Sequence, residues 1–217
     1  MPSSPPFHLT KMMEHVTKVR PASVLDIGVG FGKWGFLCRE YLDINELRYK
    51  PQDWKTIIDG CEAFPDYATP VYGYVYNNIF FGDVLERVSS LPNYDLIILG
   101  DVIEHFDKDV GQDLLNNLMA KSNFVLLSSP TKFFTQELFG NAFEQHKSLW
   151  TIADFSSYDF DYDEFQDFLF VVLIDCKSSG VVSKKEKISS KFAYRHCPLR
   201  SHPRLTNIVK SAVRRLI

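Results

Sequence analysis

Short apolar runs alternate with stretches of helical periodicity along most of this chain. Residues 9–20 carry Met12, Met13, Val16 and Val19 on one helical face, with Thr10 as its N-terminal cap. Val24–Ile27 then reads as a first strand and Lys33–Leu42 as a helix. Thr56–Asp59, Asn78–Phe81, Tyr94–Leu99 and Asn123–Leu127 supply four more strand-like runs. Between the last two, Asp109–Ala120 places Val110, Leu114, Leu115, Leu118 and Met119 on one side of a helix. Phe168–Ile174 is a continuous apolar strand, and a short strand near Tyr158–Phe160 is expected to pair with it antiparallel. Near-continuous apolar strands separated by helices predict an α/β protein, a mostly parallel sheet covered on both faces.

The connections are more informative than the strands. Directly after the first strand comes Gly28-Val29-Gly30-Phe31-Gly32. A glycine-rich turn between a strand and a helix lets a nucleotide approach bare backbone, where a Cβ would interfere. The dinucleotide fingerprint needs its third glycine three residues after the second, and that position is Lys33, so the NAD pattern fails at its last term.

An acidic residue just ahead of a Gly-x-Gly-x-Gly turn, here Asp26 before Gly28, resembles motif I of the class I S-adenosylmethionine-dependent methyltransferases. The resemblance runs from Thr10 to about Cys176. It implies a Rossmann-like doubly wound sheet of seven strands with the last antiparallel. It also implies that Asp26, Gly28 and Gly30 lie at the methionine end of the cofactor. The second strand runs into Asp59-Gly60-Cys61-Glu62, where the family carries a ribose-binding acid. Glu62 fits that pattern best and Asp59 is the alternative. Gly82-Asp83-Val84 resembles the adenine-binding motif, and Asp83 is equally suited to capping a helix.

Leu99-Gly100-Asp101-Val102-Ile103-Glu104-His105 resembles the segment that forms the floor beside the sulfonium, with Gly100 at the cofactor and Asp101 toward the acceptor. Carboxylates beside an imidazole can hold a divalent cation. In this fold the Glu-His pair more often bonds loop backbone, so no metal is assigned. Ser128-Ser129-Pro130 is expected to turn at the pocket rim. Asn141–Thr151 then resembles a substrate-side segment of a bacterial subset of these enzymes. It offers His146 as general base with Glu144 to orient it. The bland alternative is a loop whose His and Glu cap a helix after Thr151. The aspartates between Tyr158 and Phe170 lack calcium-loop spacing and read as an exposed turn.

Composition adds bounds. At 217 residues, 45% hydrophobic and 24% charged, the chain suffices for one globular domain. No apolar run reaches membrane-spanning length, and Met1–Leu9 does not read as a signal segment, so a cytoplasmic location is expected. Cys38, Cys61, Cys176 and Cys197 show no metal-type spacing and read as free thiols. From Lys177 onward there are 11 lysines and arginines against Glu186 alone, which leaves 13 basic and 26 acidic residues before it. The expected organisation is a methyltransferase domain over 1–176 and a basic tail over 177–217. In that tail Leu205–Ile217 forms an amphipathic helix, suited to a membrane surface, a second subunit or the body itself. The expected activity is methyl transfer from S-adenosylmethionine to a small-molecule or glycan-like acceptor. A non-catalytic nucleotide-binding protein and an RNA methyltransferase remain as alternatives. The absence of an Asn-Pro-Pro-Tyr-type segment after the fourth strand argues against methylation of DNA-base amines.

Overall fold

The computed structural model describes residues 4–133, 141–165 and 168–178. The chain separates into two compact units, Met1–Val182 and Ser183–Ile217. The tail helix expected at Leu205–Ile217, and Cys197, lie outside the described residues.

Seven strands form one sheet: β1 (Ser23–Ile27), β2 (Ile57–Glu62), β3 (Asn78–Phe81), β4 (Tyr94–Gly100), β5 (Ser122–Pro130), β6 (Phe160–Phe165) and β7 (Leu169–Asp175). Their order is β3-β2-β1-β4-β5-β7-β6. The first five pair in parallel, while β7 runs antiparallel to both β5 and β6. This is the expected Rossmann-like doubly wound arrangement. The helices are α1 (Leu9–Val19), α2 (Lys33–Leu42), α3 (Pro70–Val75), α4 (Val84–Arg87) and α5 (Lys108–Met119).

Alternation along the strands builds two cores. Val24 of β1 faces Met12 and Val16 of α1, Trp34 and Cys38 of α2, and Tyr72 and Val75 of α3. Leu25 and Ile27 point to the opposite face, where Val84 of α4 and Leu114, Leu115 and Leu118 of α5 pack. Each buried leucine or valine contributes about 1.5–3 kcal/mol, and the sheet is held from both sides.

Four expectations are corrected. Thr10 lies inside α1, whose N-terminal boundary residue is His8 and has no side-chain cap. Strand β2 continues through Gly60 to Glu62, paired with β1 and β3, and a Cβ at Gly60 would lie 2.5 Å from Val29 Cγ2 and 2.7 Å from Ile79 Cδ1. There glycine admits neighbouring side chains and does not break the strand. Ser128–Pro130 does not turn: it extends β5, paired with both β4 and β7. The acidic stretch after Tyr158 is largely strand, with Asp161, Asp163 and Glu164 in β6 paired to β7. Half-exposed edge-strand alternation there resembles loop composition.

Candidate functional site

The strand order reverses between β1 and β4, whose neighbours run outward in opposite directions. Ligands in open α/β sheets sit at the strands' carboxyl ends beside such a point. A cleft with about 1050 Å³ of empty space, partly open to solvent, lies there. Gly28, Gly30, Glu62, Asp83, Gly100 and Asp101 all line it. Four connections widely spaced in sequence thus deliver their candidate residues to one cleft.

Gly28 and Gly30 take positive φ angles of 72° and 54°, the left-handed region where side chains are strained. A Cβ on Gly28 would lie 2.6 Å from Val102 Cγ2. Gly100 must lack a Cβ for another reason: that atom would overlap Nε1 of Trp34. Its lack of a side chain admits an indole of α2 beneath the cleft.

Glu62, the last residue of β2, is buried. Its Oε2 accepts the Gly30 N–H at 2.8 Å and its Oε1 the Phe64 N–H at 2.8 Å. The Ala63 N–H also favours the charged form, and the two oxygens of a carboxylate match a vicinal diol. Burial raises the Glu62 carboxyl above its usual range, against the backbone bonds that lower it. Asp59 is not at the cleft; it accepts from Tyr94 Oη at 2.8 Å and Asn78 Nδ2 at 2.9 Å, tying β2 to β3 and β4. Asp83 both lines the cleft and caps α4, its Oδ1 accepting from Leu85 N–H at 2.9 Å.

Asp26 is fully buried beneath the glycine turn and does not line the cleft. Its Oδ2 accepts from Tyr76 Oη at 2.6 Å and Gly35 N–H at 3.2 Å. Burial pushes its carboxyl up to about 7. It anchors the first turn of α2 to β1.

Asp101 has φ 57°. Its N–H and its Oδ1 both engage Ser128, with Ser128 Oγ donating to Oδ1 at 2.7 Å. Its Oδ2 is buried without a hydrogen-bond partner. Behind it, Glu104 is 1% exposed, its Oε2 likewise unpartnered. Burial, with the Asp101 charge, raises Glu104 well above the carboxylate range.

His146 does not line the cleft, but its ring meets His105, which does, at 5.0 Å between centroids. One donor atom each from Glu104, His105 and His146 lies within 4.8 Å of the others. Burial lowers both imidazoles' proton affinity, favouring the neutral ligating form. His105 Nδ1 meets the Gln145 carbonyl at 3.1 Å, so Nδ1 carries the proton and Nε2 is the free donor atom. Two imidazoles and the Glu104 carboxyl make a donor set suited to a divalent cation. Glu144 does not hold His146 as expected: it accepts from Tyr67 Oη at 3.0 Å, on the Glu62 side of the cleft. Nor do His146 and Glu144 cap the turn after Thr151, which Thr151 and Asp154 cap reciprocally.

Sequence reading missed Lys33, Trp34, Tyr67 and Asn141 at the cleft. Lys33 carried a signal, the cation directly after the glycine turn. Its Nζ bonds the Ser4 carbonyl, and burial lowers its proton affinity.

No protein-family model matches this sequence, and no curated protein matches it. Solved structures do. An S-adenosylmethionine-dependent methyltransferase from Archaeoglobus fulgidus aligns over 76% of this chain and 91% of its own, with 15% identity and TM-score 0.57. The small RNA methyltransferase HEN1 aligns over 79% of this chain and 25% of its own, with 18% identity and TM-score 0.54. An O-methyltransferase family protein from Burkholderia thailandensis aligns over 76% and 55%, with 12% identity and TM-score 0.50. Identities this low establish the fold alone: the chain has the class I methyltransferase fold.

Proposed function

We propose that this protein transfers a methyl group from S-adenosylmethionine to an oxygen of a small-molecule or glycan-like acceptor. The observation that carries this reading is Glu62, a buried carboxyl held by backbone N–H groups at the end of β2 and lining the cleft. The cleft suits the cofactor: Glu62 would hold the ribose hydroxyls, Asp83 and the neighbouring Val84 and Leu85 the adenine, Gly28 and Gly30 the methionine end, and Lys33 its carboxylate. When bound, S-adenosylmethionine supplies a methyl already activated on a positively charged sulfur. The protein's remaining task is alignment and removal of one proton.

An oxygen acceptor is supported by the cluster of Glu104, His105 and His146. A divalent cation there would act as a Lewis acid toward a hydroxyl group. In that arrangement His146 serves as a ligand, and Asp101, with its unpartnered Oδ2 in the cleft wall, is the proton acceptor. Methyl transfer breaks the sulfur–carbon bond and makes the oxygen–carbon bond, while the hydroxyl proton passes to the Asp101 carboxylate.

Calorimetry with S-adenosylhomocysteine and with NAD tests the cofactor. Binding of the first and not the second is expected; NAD binding without the adenosyl ligand would overturn the reading. A turnover screen over glycans, phenols and carboxylates, with and without EDTA, tests the acceptor. One observation favours a second reading, RNA as acceptor: the run of basic residues after Lys177. The fold's likeness to HEN1 is compatible with it. RNA oligonucleotides therefore belong in the screen, and binding to them should weaken steeply with salt.

A further inference from the structure

Two parts of the cleft arise far apart in sequence and are joined by a few side chains. On the cofactor side, Glu62 fixes the Phe64 N–H, and the chain then turns through Pro65–Tyr67. The Tyr67 ring packs edge-on to Phe64 at 4.9 Å and against Phe31 of the glycine turn at 5.7 Å. Its hydroxyl donates to Glu144 Oε1 at 3.0 Å and accepts from Asn141 Nδ2 at 3.2 Å. All three residues are buried and line the cleft.

Beyond that bond the chain leads straight to the metal-type cluster. Gln145, next after Glu144, receives the His105 Nδ1 proton at its carbonyl. His146 follows and packs on His105. The Lys147 and Ser148 N–H groups both donate to the Glu104 carbonyl, at 2.8 and 3.1 Å. Residues 144–148 therefore run without interruption from the Tyr67 hydroxyl to all three members of the cluster.

We propose that Tyr67 and Glu144 are positioning residues, through which cofactor binding at Glu62 and cation binding at Glu104, His105 and His146 strengthen each other. This rests on the reading of the cleft given above. A ligand that orders the Glu62–Tyr67 turn presents the tyrosine hydroxyl at a fixed place. Glu144 is then held, and with it the backbone that orients His105 and carries His146. A cation that orders the cluster fixes Glu144 from the other end. The Glu144 charge also contributes to raising Glu62, so a ligand donating hydrogen bonds to Glu62 eases the repulsion across the same link. Such coupling is reciprocal and is typically about 5–150-fold in affinity.

The test measures Mn²⁺ affinity by the electron paramagnetic resonance signal of free Mn²⁺, with and without saturating S-adenosylhomocysteine. The reverse titration follows S-adenosylhomocysteine with and without Mn²⁺. In the wild type each ligand should tighten the other by the same factor, at least about fivefold. Tyr67→Phe keeps the ring contacts and removes the hydroxyl; its factor should fall below about twofold. Glu144→Ala should do the same, while Glu144→Gln, which keeps an acceptor for the tyrosine, should retain much of the coupling. A merely structural loss would lower the melting temperature without selectively erasing this factor. Two ligands that both bind the wild type independently, or a Tyr67→Phe factor equal to wild type, would overturn the coupling alone. Failure of either ligand to bind the wild type would overturn the site reading and the coupling with it.

Discussion

At the scale of single residues, the buried acids of this protein divide by what their oxygens touch. Glu62 and Asp59 lie three positions apart on one strand, yet only Glu62 reaches the cleft. Glu62→Ala should weaken S-adenosylhomocysteine binding by about 1–3 kcal/mol, the usual cost of unpairing buried polar groups. Asp59→Ala should leave calorimetric affinity nearly unchanged and lower stability, since it strands the Tyr94 hydroxyl and the Asn78 amide. Asp26 makes a prediction in pH. Its carboxyl titrates at about 7 in the folded protein against 3.8 for an unperturbed aspartate. Between those values the folded state binds the extra proton, so this group's stabilisation is complete below about pH 4 and lost as pH rises to about 7. Urea unfolding of Asp26→Asn across pH 4–8 should therefore show a stability that falls less with rising pH than that of wild type. Equal slopes would show that Asp26 does not titrate in that window.

At the scale of elements, the long connection after α2 is held by one buried clasp. Asp43 accepts from Arg39 at 2.6 Å, Arg48 at 2.7 Å and the Lys55 N–H at 2.9 Å. Burial would raise its carboxyl, but these donors outweigh it and hold the group below its usual range. Arg39 also donates to the Thr56 and Val75 carbonyls, joining α2 to the start of β2 and the end of α3. Asp43→Ala leaves the buried Arg39 charge without its carboxylate and should cost about 3–5 kcal/mol in urea unfolding; a loss below about 1 kcal/mol would mean solvent reaches the guanidinium. None of this was legible in the sequence, where nothing between Leu42 and Thr56 shows strand or helix periodicity. What was legible followed from periodicity. The apolar strands and the longer helices α1, α2 and α5 announce themselves because parallel strands are buried on both faces. Helices α3 and α4, of six and four residues, are too short to show a period. Periodicity places the end of β2 too early, at Asp59, because Gly60 interrupts the apolar run; side-chain crowding demands that glycine within the strand.

At the scale of the whole molecule, the site is a product of the sheet's order. The residues closing β1, β2, β3 and β4 could be read as candidates one by one, since each follows its own strand. The pairing of His146 with His105 and Glu104 could not, because about forty residues separate them and only the course of the chain after β5 brings them together. This separation sets the last prediction. His146 does not line the cleft and packs on His105, so His146→Ala should leave S-adenosylhomocysteine affinity unchanged when measured without metal. It should weaken Mn²⁺ binding at least about tenfold, the scale at which disturbed metal-site geometry is felt, and lower turnover in parallel. Excess Mn²⁺ should restore part of that turnover if His146 acts as a ligand. If instead it acts as the general base, metal affinity would hold, turnover would fall about 10²–10⁴-fold, and no concentration of Mn²⁺ would recover it. That pattern would return the proton-accepting role from Asp101 to His146.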